Sequence, residues 1–355
     1  MHADRFRRLT DAPGPFVSIY FDDSHDTEDA TAQLDARLRD IRKHLEEQSV
    51  DAAVIESIET RVRATHPPVG RSGRMVIASG PDVVFDEHLS APPVATVIRV
   101  SDLPFIVPVV EHGVPHTSYL MVAVDSTGAD ISLHGAPHAG NETVEGERSA
   151  GARGGAEETV RRNLREVAEH LTRLSDRSGA DVVFITGEVS ARAELLADLP
   201  ERVAAKAVQL QGGGRTAGTD AAEVEHEVAE QFAARRLAVL DDAAQRYAAG
   251  RGAGLAVEGL TDVAAALRDG SVETLIIGDL GEATVVADHD QLMLLGPDAA
   301  TVSALGGSPD RVLAADEALP LLAVATGAAL VRTDERLQPA DGVAAVLRYA
   351  DPNVG

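Results

Sequence analysis

A glycine-rich tip at residues 149–156 has the composition of a loop that holds a phosphate or presents a reactive side chain. It reads SAGARGGA and precedes EETVRRNLREVAEHL, whose apolar spacing predicts an amphipathic helix. Glycine permits close backbone approach to a bound group, and arginine pairs with phosphate. The position after Gly154 and Gly155 is Ala156, which has no group for acid–base or nucleophilic chemistry. The tip therefore has the composition of a ligand-binding or active-site loop but contains no catalytic side chain.

Two further patterns contain residue types that bind metals. HGVPH (112–116) and HGAPH (134–138) repeat one motif, and their imidazoles could bind zinc or nickel. Proline and glycine break the helix that would bring such a histidine pair to one face, which favours two surface loops. The acidic stretch DDSHDTEDA (22–30) lacks the spacing and glycine of an EF-hand and favours a solvated loop. We therefore expect no metal and no cofactor.

Standard catalytic signatures are missing from the sequence. It has neither a nucleophile elbow nor a P-loop, and the absence of cysteine excludes thiolate catalysis, thiolate metal sites and disulfides. GRGAGLAVEG (250–259) follows a predicted helix rather than a strand, so it does not predict a dinucleotide-binding loop. No catalytic residue is assigned.

The charge of the chain excludes loose binding to nucleic acid. The 355 residues have a net charge of −25, whereas non-specific binding is driven by neutralisation of phosphates. Without tryptophan and with 3% aromatic residues, a base-stacking platform is not expected. Arginine is nevertheless clustered, which favours docking on a shaped RNA at defined points, although an arginine-rich chain also forms clusters by chance. The candidate RNA contacts are Arg5, Arg7, Arg8, Arg71, Arg74, Arg148, Arg153, Arg161 and Arg162.

Hydrophobic patterning places the chain in the α/β class, with strands and helices alternating in three small α/β segments. We expect domains at 1–116, 117–230 and 231–355, the second and third connected by a long helix from about residue 221 to 249. No apolar run is long enough to span a membrane, and no signal peptide is evident. The expected location is the cytoplasm, and neither a membrane nor DNA is an expected partner.

Several segments, in the right order, resemble the archaeal and eukaryotic class-one peptide release factors and their relative Pelota, and in particular the bacterial branch of that family. The resemblance rests on these segments: RGGAEETVRRNLREVAEHL (153–171), ADVVFITGEVSARAELLADLP (180–200), VQLQGGG (208–214), LAVEGLTDVAAALRDGSVETLIIGDL (255–280) and DGVAAVLRYADP (341–352). It implies three domains arranged as in a class-one release factor. It also implies a loop that enters the peptidyl-transferase centre, formed by Gly151, Arg153, Gly154, Gly155 and Ala156.

Two departures from the family pattern bear on function. Release factors have Gln in a Gly-Gly-Gln loop where this chain has Ala156, and the stretch 22–50 contains nothing like their stop-codon-reading Asn-Ile-Lys-Ser element. We therefore expect neither peptide release nor stop-codon reading. The resemblance implies that the protein occupies the A site of idle 70S ribosomes, in contact with 23S and 16S rRNA. It also offers elongation factor Tu as a candidate partner.

Two alternatives remain at this point. The protein could be a peptidyl-tRNA hydrolase or rescue enzyme in which Glu157 or Glu158 activates water in place of the missing glutamine. Both glutamates also have a structural explanation, because acidic residues are favourable near a helix N-terminus. The other alternative is a stress protein that has kept the fold without binding RNA. Co-sedimentation with ribosomes separates this last case from the other two.

Overall fold

A computed structural model describes residues 3–27, 29–65, 71–89, 91–112, 118–134, 140–146, 153–215, 221–333 and 336–350. The chain divides into two compact units. Residues 1–114 and 238–355 form the first unit, and residues 115–237 form the second. Both units contain helices packed on β-sheets, which confirms the predicted α/β class.

The N-terminal part of the first unit is an antiparallel sheet covered by helices. Its elements are α1 (Arg7–Thr10), β1 (Phe16–Asp22), α2 (Ala30–Glu47), α3 (Ala52–Ala64), β2 (Gly73–Ser79), β3 (Asp82–Leu89), β4 (Val97–Ser101) and α4 (Val107–His112). The strand order is β3-β2-β1-β4. Helix α2 has an apolar stripe, Leu34, Leu38, Ile41 and Leu45, that is buried against this sheet. Helix α3 begins where the side chain of Asp51 accepts a hydrogen bond from the amide of Ala53.

The second unit is a mixed sheet with helices on both faces. Its elements are β5 (Tyr119–Asp125), β6 (Gly128–His134), β7 (Gly140–Glu145), α5 (Arg153–Ser178), β8 (Val182–Gly187), α6 (Val189–Asp198), α7 (Glu201–Ala204), β9 (Ala207–Gln209) and α8 (Ala221–Arg251). The strand order is β7-β6-β5-β8-β9, in which β5, β8 and β9 are parallel. The apolar stripe of α5 covers one face of the sheet through Leu164, Val167, Leu171 and Leu174. The chain passes into the first unit within α8.

The C-terminal part of the first unit contains two sheets. Its elements are β10 (Ala256–Glu258), α9 (Leu260–Arg268), β11 (Val272–Ile277), β12 (Thr284–Asp288), β13 (Leu295–Gly296), α10 (Ala299–Ala304), β14 (Pro309–Ala314), α11 (Ala315–Ala325), β15 (Ala329–Arg332) and β16 (Val343–Leu347). The sheet orders are β10-β16-β11-β15 and β13-β12-β14. Arg348 follows the last strand and donates to the carbonyls of Gly270, Thr326 and Gly327, which lie just beyond α9 and α11. Its guanidinium therefore satisfies carbonyls that helix ends leave unpaired.

Residues of the first and third predicted domains share one hydrophobic core. Phe6 and Leu9 are buried in the same cluster as Leu319 and Leu322 of α11. Polar contacts add to this packing: Arg99 of β4 forms an ion pair with Asp316 at 2.8 Å. Residues 1–114 and 238–355 therefore form a single unit, while the predicted boundaries at 116 and 230 stay predictions.

Candidate functional site

The glycine-rich tip begins a helix. Arg153, Gly154, Gly155 and Ala156 lie in the first turn of α5, whereas Arg148 and Gly151 fall outside the described residues. The prediction that residues 153–156 form part of a loop was therefore wrong. The first four amides of a helix need no partner inside it, so the chain can start helical at Arg153 and tolerate two glycines there.

The end of β7 is tightly packed against the turn after β5 and against α5. The amide of Gly146 donates to the carbonyl of Thr127 at 2.8 Å. A Cβ at Gly146 would lie 2.2 Å from the side chain of Asn163, a distance that excludes any other residue there. Asn163 is itself buried on α5, and its Nδ2 donates to the carbonyl of Ser126. This loop base, defined as Ser126, Thr127, Gly146 and Asn163, joins the end of β7 to the first third of α5.

Arg215 follows the glycine-rich stretch 212–214 and attaches it to the turn after β5, beside the loop base. Its Nη1 donates to Asp125 Oδ1 and Thr127 Oγ1 at 3.0 Å each, and its Nε to Asp130 Oδ2 at 3.3 Å. Burial opposes ionisation of Asp125, yet hydrogen bonds from Thr127 and Arg215 hold the pKa of this carboxyl below its usual value. Arg215 was not identified from the sequence, because only the fold brings residue 215 to the turn after β5.

Charged side chains are exposed along the first half of α5. Arg161, Arg162 and Arg165 are exposed, as are Glu157 and Glu158. Arg161 forms an ion pair with Glu194 of α6 at 3.2 Å, but its side chain keeps most of its surface in solvent. An exposed pair of this kind stabilises the fold by at most about 1 kcal/mol, so it leaves Arg161 able to exchange its partner for a phosphate.

Arg74 is a structural residue, and its assignment as an rRNA contact was wrong. Its side chain is fully buried, and Nε and Nη2 donate to the two carboxylate oxygens of Asp86 at 2.8 and 2.9 Å. Nη1 donates to the carbonyl of Val62 at 3.0 Å and lies 3.5 Å from the buried carboxylate of Asp23. The reason is that every residue of β2 is buried, so an arginine within it must find its partners inside the protein.

Arg5 is the second assignment that the structure corrects. Its side chain is largely buried, pairs with Glu87 and lies over the rings of Phe6 and Phe85. Burial lowers the pKa of this guanidinium to about 10. Arg7, Arg8 and Arg71 are exposed, and their role as rRNA contacts stays a prediction.

Of the four histidines in the repeated HGxPH motif, only His112 and His134 lie within the described residues. His116 and His138 fall outside the described residues, and His134 stacks on Tyr119 with ring centroids 4.7 Å apart. Across the described ranges, no group of three His, Asp or Glu side chains is placed to bind a metal ion. In the same ranges, no helix has the length and apolarity needed to cross a membrane.

A charged cluster that sequence reasoning missed fastens β7 to the C-terminal half of α5. Glu142 Oε2 lies 2.5 Å from His170 Nε2, and its other oxygen accepts from Arg177 at 2.8 Å. The hydrogen bond with His170, followed by the charges of His170 and Arg177, lowers the pKa of Glu142. His170 and Arg177 are seven residues apart on the helix, and that spacing signals a shared face but not the partner.

Residues 118–253 match the family described as "Bacterial archaeo-eukaryotic release factor family 2". Over 368 aligned residues, the chain is 46% identical to the uncharacterized protein Rv2629 of Mycobacterium tuberculosis, covering 99% of this chain and 98% of that protein. The chain therefore belongs to the bacterial branch of the archaeo-eukaryotic release factor family.

The chain is also similar, at lower identity, to two solved structures. Pelota of Archaeoglobus fulgidus is 14% identical, covers 99% of this chain and 93% of its own, and has a TM-score of 0.38. Dom34 of S. cerevisiae, a translation termination-like factor, is 10% identical, covers 80% of this chain and 81% of its own, and has a TM-score of 0.40.

Arg74 and Arg71 give a matched pair for a stability test. We expect Arg74→Ala to lower the free energy of unfolding by about 3–5 kcal/mol, because it leaves the buried carboxylates of Asp23 and Asp86 without their main cation. Arg71→Ala removes the same charge from an exposed site, and we expect a change of about 0.5 kcal/mol or less. Urea denaturation of both variants measures the difference. Equal effects would return Arg74 to the candidate RNA contacts.

The cluster around Glu142 predicts an acid-sensitive second unit. A carboxyl whose pKa is lowered by folding stabilises the protein above its unfolded pKa, and this contribution is lost as the pH falls through that value toward the folded pKa. We expect Glu142→Gln to flatten the loss of stability of residues 115–237 below about pH 5. Glu169→Gln removes an exposed carboxyl from the same helix and is the control. Hydrogen exchange of the β6 and β7 amides across this pH range reports the transition, and identical acid profiles for the two variants would contradict the assignment.

Proposed function

We propose that this protein is a non-catalytic ribosome-binding factor that occupies the A site of idle 70S ribosomes and silences them. One observation carries the proposal: a member of the release factor family has Ala156 where release factors have the glutamine of their Gly-Gly-Gln loop. Blocking a site requires shape and phosphate contacts, and neither depends on that glutamine. In the bacterial branch, the resemblance extends to the hibernation factor Balon.

The loop base supports a role for the segment that it holds. Gly146 and Asn163 fix the point where β7 ends, and α5 fixes the other end at Arg153. A segment of six residues, 147–152, spans the two fixed ends and includes Arg148 and Gly151. In our proposal, this segment and the first turn of α5 enter the peptidyl-transferase centre, where Arg148 and Arg153 contact 23S rRNA.

The arrangement of charge supports binding at a few points instead of along a continuous surface. A body with a net charge of −25 repels RNA in bulk. The exposed candidates on α5 are Arg161, Arg162 and Arg165, and those of the first unit are Arg7, Arg8 and Arg71. In the proposal, those of the first unit lie near 16S rRNA at the decoding centre. In the proposal, the C-terminal part of the same unit contacts a translational GTPase such as elongation factor Tu.

An enzymatic role as a peptidyl-tRNA hydrolase is the alternative, and no contact specifically favours it. Glu157 and Glu158 are exposed on α5, and no described neighbour orients either of them as a general base. We expect the purified protein to release no peptide from peptidyl-tRNA on programmed ribosomes, and Glu157→Gln or Glu158→Gln to change nothing in that assay. Stoichiometric peptide release that Glu158→Gln or Glu157→Gln abolishes would replace the proposal with the alternative.

Ribosome binding is tested by sedimentation at several salt concentrations. We expect the full chain to pellet with vacant 70S ribosomes and to bind free RNA poorly. The Arg148→Ala, Arg153→Ala double variant should weaken ribosome binding and reduce the slope of log affinity against log salt by roughly one to two units, because two phosphate contacts are lost.

A control double variant removes the same charge elsewhere in the second unit. Arg173→Ala changes an exposed arginine of α5, about 30 Å from Arg153 along the helix. Arg202→Ala changes an exposed arginine of α7 that pairs with Asp176 near the same end of α5. This double variant should keep the parent's salt slope. A protein that never pellets with ribosomes would refute the proposal, and equal slopes in the two double variants would remove Arg148 and Arg153 from the contact surface.

A further inference from the structure

The small sheet β13-β12-β14 has one face in the core and one face in solvent. Val285, Ala287, Leu295 and Leu313 are buried on the inner side. The alternate residues point outward, and among them Val286 and Val312 lie directly opposite each other on β12 and β14. The side chain of Val312 is 70% exposed, and that of Val286 is half-buried. The outer face is therefore centred on an apolar pair in which Val312 is largely open to solvent.

Strand β14 is also an edge. It is the last strand in the order β13-β12-β14, and the described residues place no strand beside it. The amide of Ala315 donates to the carbonyl of Ala283, so in this antiparallel ladder Leu313 and Arg311 direct their backbone groups at β12. Val312, one position out of phase, directs its amide and carbonyl at the open edge. A row of unpaired backbone groups is a template for an added strand.

The surroundings of this edge are acidic. Asp310 is exposed and precedes Val312 by two residues, so it shares the outward side, and Glu282 and Asp290 are exposed next to the ends of β12. The single arginine of residues 282–314 is Arg311, which turns inward and lies 3.7 Å from Asp102. The one histidine of residues 282–314 is His289, which pairs with Asp310 at 2.7 Å. An apolar centre with an acidic rim selects a partner that is apolar and basic.

We propose that β14 is a docking strand for an extended, basic segment of a protein partner. The segment would pair its backbone with the open edge at Val312, place an apolar side chain on the Val286–Val312 pair, and direct lysine or arginine at Asp310 and Glu282. RNA does not fit this face, because its phosphates would meet carboxylates. A second copy fits poorly as well, because the symmetric contact would bring two acidic edges together, and charged edges are a protection against self-pairing. The inference does not depend on ribosome binding.

A synthetic peptide of alternating lysine and valine, eight residues long, is the probe. We expect the full-length protein to bind it at physiological salt and Val312→Lys to bind it about tenfold more weakly. Val94→Lys is the matched control, because Val94 is fully exposed in the same unit and the substitution changes the total charge equally. Val94→Lys should bind like the parent, and a peptide of alternating glutamate and valine should not bind. Asp310→Asn, which keeps the apolar pair, should give an intermediate loss.

Several results would overturn the proposal. These are no binding of the lysine–valine peptide to the parent, equal loss in Val312→Lys and Val94→Lys, or a folded dimer of the free protein that Val312→Lys dissociates. The last result would assign the face to a second copy. Thermal unfolding of each variant checks that the fold is intact. Pelleting of the same variants with ribosomes is scored separately, so failure of ribosome binding and failure of peptide binding are distinguishable.

Discussion

The close approach of Gly146 to Asn163 is the constraint on which the candidate functional segment depends. No side chain fits at residue 146, since a Cβ there would overlap the Asn163 side chain. Asn163 cannot move away freely, because it is buried on α5 beside Leu164, whose side chain is in the core of the second unit. The end of β7 is thus held against α5, and residues 147–152 connect these two elements.

The packing of helix α5 on the sheet determines which of its side chains are exposed to solvent. Its 26 residues extend about 39 Å, and four apolar side chains on one stripe hold it on the sheet. The opposite side must then face solvent, and that side contains Arg161, Arg162 and Arg165. At the far end, the contacts of Glu142 with His170 and Arg177 attach the helix to β7 a second time. Packing thus determines which arginines can meet a partner.

Periodicity was enough to predict the elements, but not their neighbours. The spacing of Leu34, Leu38, Ile41 and Leu45 is typical of a helix with one buried face, as α2 is, and the continuous apolar run after Ala180 is typical of a buried strand, as β8 is. Arg74 shows where this reasoning stops. Its membership of an arginine cluster was visible, whereas its partners Asp86 and Val62 O depend on the pairing of β2 with β3 and on the end of α3. The prediction for Arg5 was wrong for the same reason, because its partner Glu87 is 82 residues away in the chain.

The same limit explains why a candidate site could be named only in part. The missing glutamine at Ala156 is a matter of residue type and is visible at once, but the helical start at Arg153 depends on how α5 packs. Val312 is a sharper case. Alternation in β14 predicts that it faces away from Leu313, but only the strand order shows that no neighbouring strand in the described chain takes up its backbone groups. On an acidic protein, an uncovered apolar edge and a few exposed arginines select different partners. Phosphate is attracted to the arginines and repelled by the edge, and a basic peptide behaves in the opposite way. Two kinds of contact can therefore coexist on one chain without competing for the same surface.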